Sequence, residues 1–153
     1  MEENIEKPCV IISACLFGKC VRYDGRVKNT LSNLDELKKK YRLVPVCPEM
    51  LGGLGMPRPQ SEIKNGRVIN ILGADVTDAF RKGAEKTYEI FVKNNAKFAI
   101  LKESSPSCGR NTVYDGSFSG IKTKGRGITA DYLLNKGIKV ISEKELYKLN
   151  ERQ

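Results

Sequence analysis

Short apolar segments rich in β-branched residues alternate with amphipathic helical segments along this chain, and this alternation restricts the folds open to it. The first apolar segment runs from Cys9 to Cys15, and residues 43–46 and 97–101 repeat the pattern. Runs of this length and composition are typical of buried strands. Strands that alternate with helices predict a parallel sheet covered on both faces. We therefore expect an α/β fold with a Rossmann-like parallel sheet and helices on both faces.

The clearest helical segment lies between the second and third of these strands. Its apolar side chains between Asp75 and Asn94 recur every three or four positions, which predicts one long amphipathic helix capped by Asp75. The other predicted elements are a helix over 34–41 capped by Ser32 or Asn33, a strand near 66–71, an Asp-Gly hairpin turn within 113–118, a helix over 129–135 that stops at Gly137, a strand over 139–141, and a helix over 143–149 capped by Ser142. No linker divides the chain, so residues 1–153 are expected to form one domain.

The chain contains five cysteines and no histidine. The lack of imidazole excludes the usual general base, the catalytic triads built on histidine and the Cys/His zinc fingers. Residues 1–6 do not resemble a secretory signal, and no apolar run approaches a membrane span, so a cytoplasmic location is expected. Cysteines in such a chain are more often metal or redox ligands than disulfides. Soft thiolates without imidazole favour iron–sulfur or structural zinc.

Three of the cysteines follow the predicted strands. Cys15 ends the first strand, Cys47 comes directly after the second, and Cys108 lies a few residues past the third. The carboxyl ends of parallel strands meet at one edge of a sheet, where ligands bind. Three thiolates without a fourth ligand fit closed structural zinc poorly, and they fit a [4Fe–4S] cluster with one open iron well. Cys9 is better explained as a small core residue, and Cys20 stays open as a spare ligand.

Several sequence blocks, taken together, are similar to those of a known family. They are SACLFG at 13–18, RYDG at 22–25, CPE at 47–49 with GGL at 52–54 and PR at 57–58, GADVT at 73–77, and LK at 101–102 with SPSCG at 105–109. The chain resembles the thiouracil desulfidases, and the match extends over roughly residues 9 to 143. The chain departs from the family pattern at Phe17, where family members often have leucine.

The resemblance implies both a cofactor and a reaction. It implies a [4Fe–4S] cluster bound by three cysteines, which match Cys15, Cys47 and Cys108, with an open iron that takes the sulfur of a thiocarbonyl. The implied reaction is the hydrolysis of 2-thiouracil to uracil and hydrogen sulfide, without net electron transfer. The implied catalytic carboxylate falls on Glu49 and the implied catalytic hydroxyl on Ser105.

The residues are compatible with these roles, although each has a simpler explanation. Without histidine, Glu49 is the natural acid or base beside Cys47, but a glutamate at a helix start would look the same. Ser105 precedes a proline and can donate or relay a proton, but serines more often cap turns. Four residues are further candidates for substrate contacts: Arg22, Arg58, Ser104 and Ser107.

Other functions stay open at this stage. The net charge of +9 allows a nucleic-acid partner, although the lysine-rich segment 38–40 is more typical of a solvated helix face. The rivals to a desulfidase acting on a small thiolated pyrimidine are an iron–sulfur enzyme acting on sulfur in tRNA, a zinc-thiolate module that binds nucleic acid, and a cysteine-nucleophile enzyme. The last is the weakest, because no histidine can activate the thiol.

Overall fold

A computed structural model describes residues 7–18, 24 and 31–150 of the chain. The strands are β1 (Cys9–Ser13), β2 (Arg42–Val46), β3 (Ser61–Lys64), β4 (Arg67–Asn70), β5 (Phe98–Leu101), β6 (Thr112–Tyr114), β7 (Lys122–Lys124) and β8 (Val140–Ser142). The α-helices are α1 (Leu34–Lys40), α2 (Pro48–Leu51), α3 (Thr77–Lys93) and α4 (Ile128–Asn135), and 3-10 helices span Ala14–Phe17 and Glu143–Asn150.

Four strands form a parallel sheet in the order β2-β1-β5-β8. In the centre of the sheet, Ile11 of β1 pairs with Val44 on one side and Ala99 on the other. The chain moves outward from β1 to β2 and then returns to the other side of β1 at β5. The carboxyl ends of β1 and β5 therefore flank the topological switch point, where open α/β sheets bind ligands.

Alternate residues of each strand point to opposite faces of the sheet, and helices cover both faces. On one face Ile11 and Leu101 pack with Phe91 of α3 and Leu133 of α4. On the other face the neighbouring side chains, Val10 and Ile12 among them, pack with Leu37 of α1 and with the C-terminal 3-10 helix. The predicted α/β class, with a parallel sheet between two helical layers, is confirmed.

Two antiparallel ribbons lie outside the main sheet. The predicted strand near 66–71 is β4, and it pairs with β3, which was not predicted. The Asp-Gly signal does belong to a hairpin, formed by β6 and β7, but residues 115–121 make a longer loop than a tight two-residue turn. The residues of β7 are all exposed, so this strand has no apolar alternation from which it could be predicted.

Two of the predicted helix ends agree with the structure. Asp75 does accept a hydrogen bond at the start of α3, because its Oδ1 takes the N–H of Thr77 at 2.9 Å. Gly137 has φ of 82° just after α4, as expected of a residue that ends a helix. Among the described residues, no helix is long and apolar enough to span a bilayer.

The predicted C-terminal helix is wrong in type. Residues 143–150 form a 3-10 helix that is kinked at Glu145. Ser142 does cap this segment, since its Oγ accepts the N–H of Lys144 at 3.1 Å, and the Glu145 carboxylate accepts the N–H of Ser142 at 2.9 Å. This reciprocal arrangement resembles a capping box. In a capping box the serine oxygen accepts the third N–H group of the helix, whereas here it accepts the second, that of Lys144, so the turn is tighter.

Candidate active site

The carboxyl edge of the sheet carries three cysteines on three different local structures. Cys15 lies in the 3-10 helix directly after β1, Cys47 is the N-cap residue of α2 directly after β2, and Cys108 lies in the loop that follows β5. All three line one cavity of about 320 Å³. The sheet topology therefore brings together three thiols that are far apart in the sequence.

Burial dominates the electrostatics of these thiols. Loss of solvent raises the pKa of Cys15 to about 11 and that of Cys108 to about 12. Burial also raises the pKa of Cys47, against the opposing effects of the backbone N–H groups of α2 and the Arg58 guanidinium. A thiolate on Cys47 would raise the pKa of both other thiols. In this environment the neutral thiols are favoured until a cation replaces their protons.

Across the part of the chain that the structure describes, no three or more thiol and carboxylate side chains are arranged to hold a single metal ion. Structural zinc needs four closed ligands around one such position. Cys20, the candidate spare ligand, lies outside the described residues, as does Arg22.

Glu49 lies in the first turn of α2 and faces the same cavity. Its Oε1 accepts a hydrogen bond from Nε of Arg58 at 2.8 Å, and its Oε2 accepts one from Oγ of Ser107 at 3.1 Å. Arg58 also donates to the Gly55 carbonyl oxygen at 3.0 Å and to the Cys47 sulfur at 3.9 Å. The carboxylate is thus held by two donors, beside a thiol and next to open cavity space.

The sequence indicates Arg58 only as a candidate substrate contact, and the structure gives it a more central place. Its side chain is only 7% exposed, and its guanidinium links the carboxylate, a thiol and the glycine-rich loop. An isolated Pro-Arg pair in a loop gives no indication in the sequence that the arginine binds Glu49.

The Ser105 hydroxyl organises the turn that carries Cys108. Its Oγ accepts the N–H of Ser107 at 3.1 Å and the N–H of Cys108 at 3.0 Å, and it lies 3.0 Å from Oγ of Ser107. Ser105 therefore both caps this turn and lines the cavity. Ser104 also lines the cavity, and its Oγ lies 3.0 Å from Oγ1 of Thr112.

A buried carboxylate that sequence reasoning missed shapes the same loop. Oε1 of Glu103 accepts the N–H groups of Arg110 and Asn111, both at 2.8 Å, and Oε2 accepts the Asn111 side-chain amide at 2.8 Å. Although burial alone would raise it, these donors lower the pKa of Glu103 below its ordinary value. Glu103 is directly followed by two of the predicted site serines, but nothing in the sequence distinguishes a structural carboxylate there from a catalytic one.

Lysines add positive charge to the cavity. Lys102 and Lys122 both line it, and Nζ of Lys102 lies 3.3 Å from Oε2 of Glu143. The charge of Lys102 opposes the effect of burial at Cys15 and lowers the pKa of that thiol. This charge only partly offsets burial, which still leaves the pKa of Cys15 above its ordinary value.

The fold and this site define a class: a parallel α/β protein with a thiol-lined cavity at the switch point of its sheet. The model of the 2-thiouracil desulfurase family matches residues 10–145. The uncharacterized protein YbbK of Bacillus subtilis (strain 168) is 39% identical over 147 residues, which are 90% of this chain and 97% of that protein. The solved structure of TudS, a [4Fe–4S]-dependent thiouracil desulfidase, is similar with a TM-score of 0.88 and 44% identity, over 95% of this chain and 96% of that chain.

The chain therefore belongs to the 2-thiouracil desulfurase family. The resemblance found in its sequence blocks is confirmed.

Proposed function

We propose that this protein removes sulfur from 2-thiouracil or a related small thiolated pyrimidine, using a [4Fe–4S] cluster bound by Cys15, Cys47 and Cys108. The observation that carries the proposal is a single cavity lined by these three thiols together with Glu49 and Ser105. The family and the TudS neighbour support both the cofactor and the reaction.

The donor set fits such a cluster. Thiolates are its preferred ligands, and hydrogen bonds to their sulfurs tune it. Arg58 donates to the Cys47 sulfur, and the Ser107 hydroxyl lies 3.6 Å from the Cys108 sulfur. When bound, a cluster with three protein ligands supplies an open iron, a Lewis acid that favours the sulfur of the substrate and withdraws electrons from the adjacent carbon.

The reaction we propose is a hydrolysis: 2-thiouracil and water give uracil and hydrogen sulfide, and no electrons are gained or lost. Glu49 serves as the base that activates the attacking water, because it is a carboxylate held at the cavity wall in a chain without histidine. Ser105 moves a proton at the ring. Its oxygen is fixed by two backbone N–H groups, so the hydroxyl is positioned before substrate arrives.

The remaining predicted contacts belong to the same proposal. Arg58 and Ser104 line the cavity and are our candidates to orient the pyrimidine ring, and Ser107 lines the cavity as well. Arg22 is a further candidate from the sequence. None of the four described cysteines forms a disulfide, as we would expect of a protein located in the reducing cytoplasm.

One experiment tests the proposed function. The protein is purified without oxygen, its iron and acid-labile sulfide are measured, and 2-thiouracil is added while sulfide release is followed. We expect about four irons per chain, as the cluster stoichiometry requires, together with equal amounts of uracil and sulfide. Brown protein that releases no sulfide would support the cluster but rule out 2-thiouracil as the substrate. Colourless protein that cannot be reconstituted would reject the whole proposal.

The roles of Glu49 and Ser105 are tested separately. Glu49→Gln and Ser105→Ala should keep the absorption of the cluster and lose most of the turnover, since general acid–base catalysis typically contributes about 10²–10⁴-fold. Full turnover by either variant, with an intact cluster, would refute the role assigned to that residue.

A further inference from the structure

Ser107 lies between the two residues that we propose as catalytic. Its side chain is buried, with 3% of the residue exposed. Its Oγ is 3.0 Å from Oγ of Ser105 and 3.1 Å from Oε2 of Glu49. It is also 3.6 Å from the sulfur of Cys108. One hydroxyl thus touches both reactive side chains and a proposed cluster ligand.

The direction of these hydrogen bonds follows from counting donors and acceptors. A serine hydroxyl has one proton and two lone pairs. Both lone pairs of Ser105 are used, because its oxygen already accepts the N–H groups of Ser107 and Cys108. Before substrate binds, Ser105 therefore donates its proton to Ser107 rather than accepting one from it.

The same count fixes the direction of the hydrogen bond between Ser107 and Glu49. Ser107 accepts from Ser105 and keeps one proton to donate. A carboxylate oxygen at 3.1 Å is a stronger acceptor than a sulfur at 3.6 Å, so the proton is directed to Glu49. The result is a series of hydrogen bonds that all point in one direction, from Ser105 through Ser107 to Glu49. Arg58 holds the other oxygen of that carboxylate and completes the arrangement.

We propose that Ser107 is a positioning residue that couples the two reactive groups: it sets the orientation of the Glu49 carboxylate and fixes the direction of the Ser105 proton. This proposal rests on the proposed function. It differs from a substrate contact, because the one proton of Ser107 is directed to Glu49 and one of its lone pairs takes the Ser105 proton. Loss of the hydroxyl leaves Glu49 with Arg58 alone and the Ser105 proton free to rotate.

The test compares cluster-loaded variants made and assayed without oxygen. Ser107→Ala should lower kcat for 2-thiouracil by at least about tenfold, because small losses of alignment are costly in catalysis. The KM and the calorimetric affinity for uracil should stay within about threefold, since no substrate contact is removed. Ser107→Thr keeps the hydroxyl and should restore much of kcat. Ser142→Ala removes another buried hydroxyl, one that does not line the cavity, and should keep the wild-type kcat.

A second comparison does not depend on how well threonine fits. Glu49→Asp withdraws the carboxylate from Ser107 by one methylene. In that background Ser107→Ala should cost less than about twofold, because residues that act as a unit have non-additive effects. Equal losses from Ser107→Ala in both backgrounds would overturn the proposal.

The other outcomes are also decisive. A Ser107→Ala enzyme within twofold of the wild-type kcat overturns the proposal. A weaker affinity for uracil with unchanged kcat assigns Ser107 to substrate binding instead. Loss of iron from Ser107→Ala shows that the hydroxyl serves Cys108, and this too overturns the coupling role. A wild-type protein that releases no sulfide refutes the proposed function, and the role of Ser107 falls with it.

Discussion

Arg58 and Glu49 form a buried ion pair beside the thiols, with side chains that are 7% and 13% exposed. Removing one partner of such a pair leaves a charge without compensation in a poorly solvated place. We predict that Arg58→Gln lowers the free energy of unfolding by about 3 kcal/mol, measured by denaturant titration. Glu49→Gln in the same chain should restore part of the loss, because two amides can bond without a buried charge.

A second ion pair in the chain serves as the control. Arg67 and Asp75 lie 2.9 Å apart, but their side chains are 48% and 41% exposed. Exposed pairs contribute little because water already solvates both partners. Arg67→Gln should therefore change the unfolding midpoint far less than Arg58→Gln. Equal effects of the two substitutions would show that burial does not make the loss of Arg58 more costly than the loss of an exposed partner.

The reactivity of the site thiols should rise with pH over a more alkaline range than that of an ordinary thiol. Burial raises the pKa of Cys15 to about 11, from 9.0 for an ordinary thiol, so little thiolate forms at neutral pH. In cluster-free protein we predict that iodoacetamide labels Cys15 about tenfold faster for each pH unit and reaches no plateau near pH 9, because only the thiolate reacts. Mass spectrometry of the labelled peptide measures the rate, and the urea-unfolded chain supplies the reference with a plateau near 9.

The same shift has a consequence for stability. Because the folded pKa values of Cys15 and Cys108 lie above the unfolded value, the thiols' contribution to stability is complete below pH 9 and is lost as the pH rises towards 11 and 12. The unfolding midpoint of cluster-free protein should fall over that range. A folded Cys15 that titrates near pH 9 would contradict both expectations.

At the scale of whole elements, α2 owes its position to a contact between backbones. A Cβ on Gly83 of α3 would lie 1.9 Å from the Pro48 carbonyl oxygen, and one on Gly52 would lie 2.0 Å from the Ala79 carbonyl oxygen. The two helices therefore meet through glycines, without space for a methyl group. This close approach sets the position of Cys47, which caps α2.

We predict that Gly83→Ala destabilises the protein and lowers its iron content. Helix propensity alone would make this change stabilising by about 1 kcal/mol, so the sign of the measured effect shows which term dominates. The clash is with backbone, which must shift, and overpacking of this kind costs about 1–3 kcal/mol. Gly55→Ala is the matched control, since a Cβ there meets open space. An unchanged or raised unfolding midpoint for Gly83→Ala would contradict the prediction.

The elements that could be predicted from the sequence are those whose residues repeat at a regular period. Strands β1 and β5 are short and apolar, and α3 has an amphipathic pattern, so each was placed within a few residues. Helix α2 was missed because four residues after a cysteine are too few for a period. Its glycine contact with α3 was also invisible, since it depends on how two distant segments pack.

The candidate site shows the same division. The positions of the thiols followed from strand ends and topology, which the sequence encodes locally. The partners of Glu49 did not, because Arg58 and Ser107 reach it from two other loops. Local sequence patterns identify residues able to do chemistry, whereas hydrogen-bond direction and burial depend on the assembled fold.

At the scale of the whole molecule, the proposed cluster would join three loops that follow three different strands. Cys15, Cys47 and Cys108 belong to segments that only the folded sheet brings together. Metal binding to a site formed by folding adds its free energy to stability. Loss of the cluster should thus lower the unfolding temperature of the entire sheet rather than loosen one loop.

Cysteine variants test this at every position. We predict that serine at Cys15, Cys47 or Cys108 removes most of the iron and lowers the unfolding temperature towards that of the cluster-free protein. Cys9→Ala should keep the full iron content and lose only core packing, because Cys9 is buried at the start of β1. Cys20→Ser should also keep its iron, and a loss there would make Cys20 a ligand. Anaerobic iron analysis and thermal unfolding of the same samples decide, since a true ligand lowers iron content and unfolding temperature together, whereas a core cysteine changes only the second.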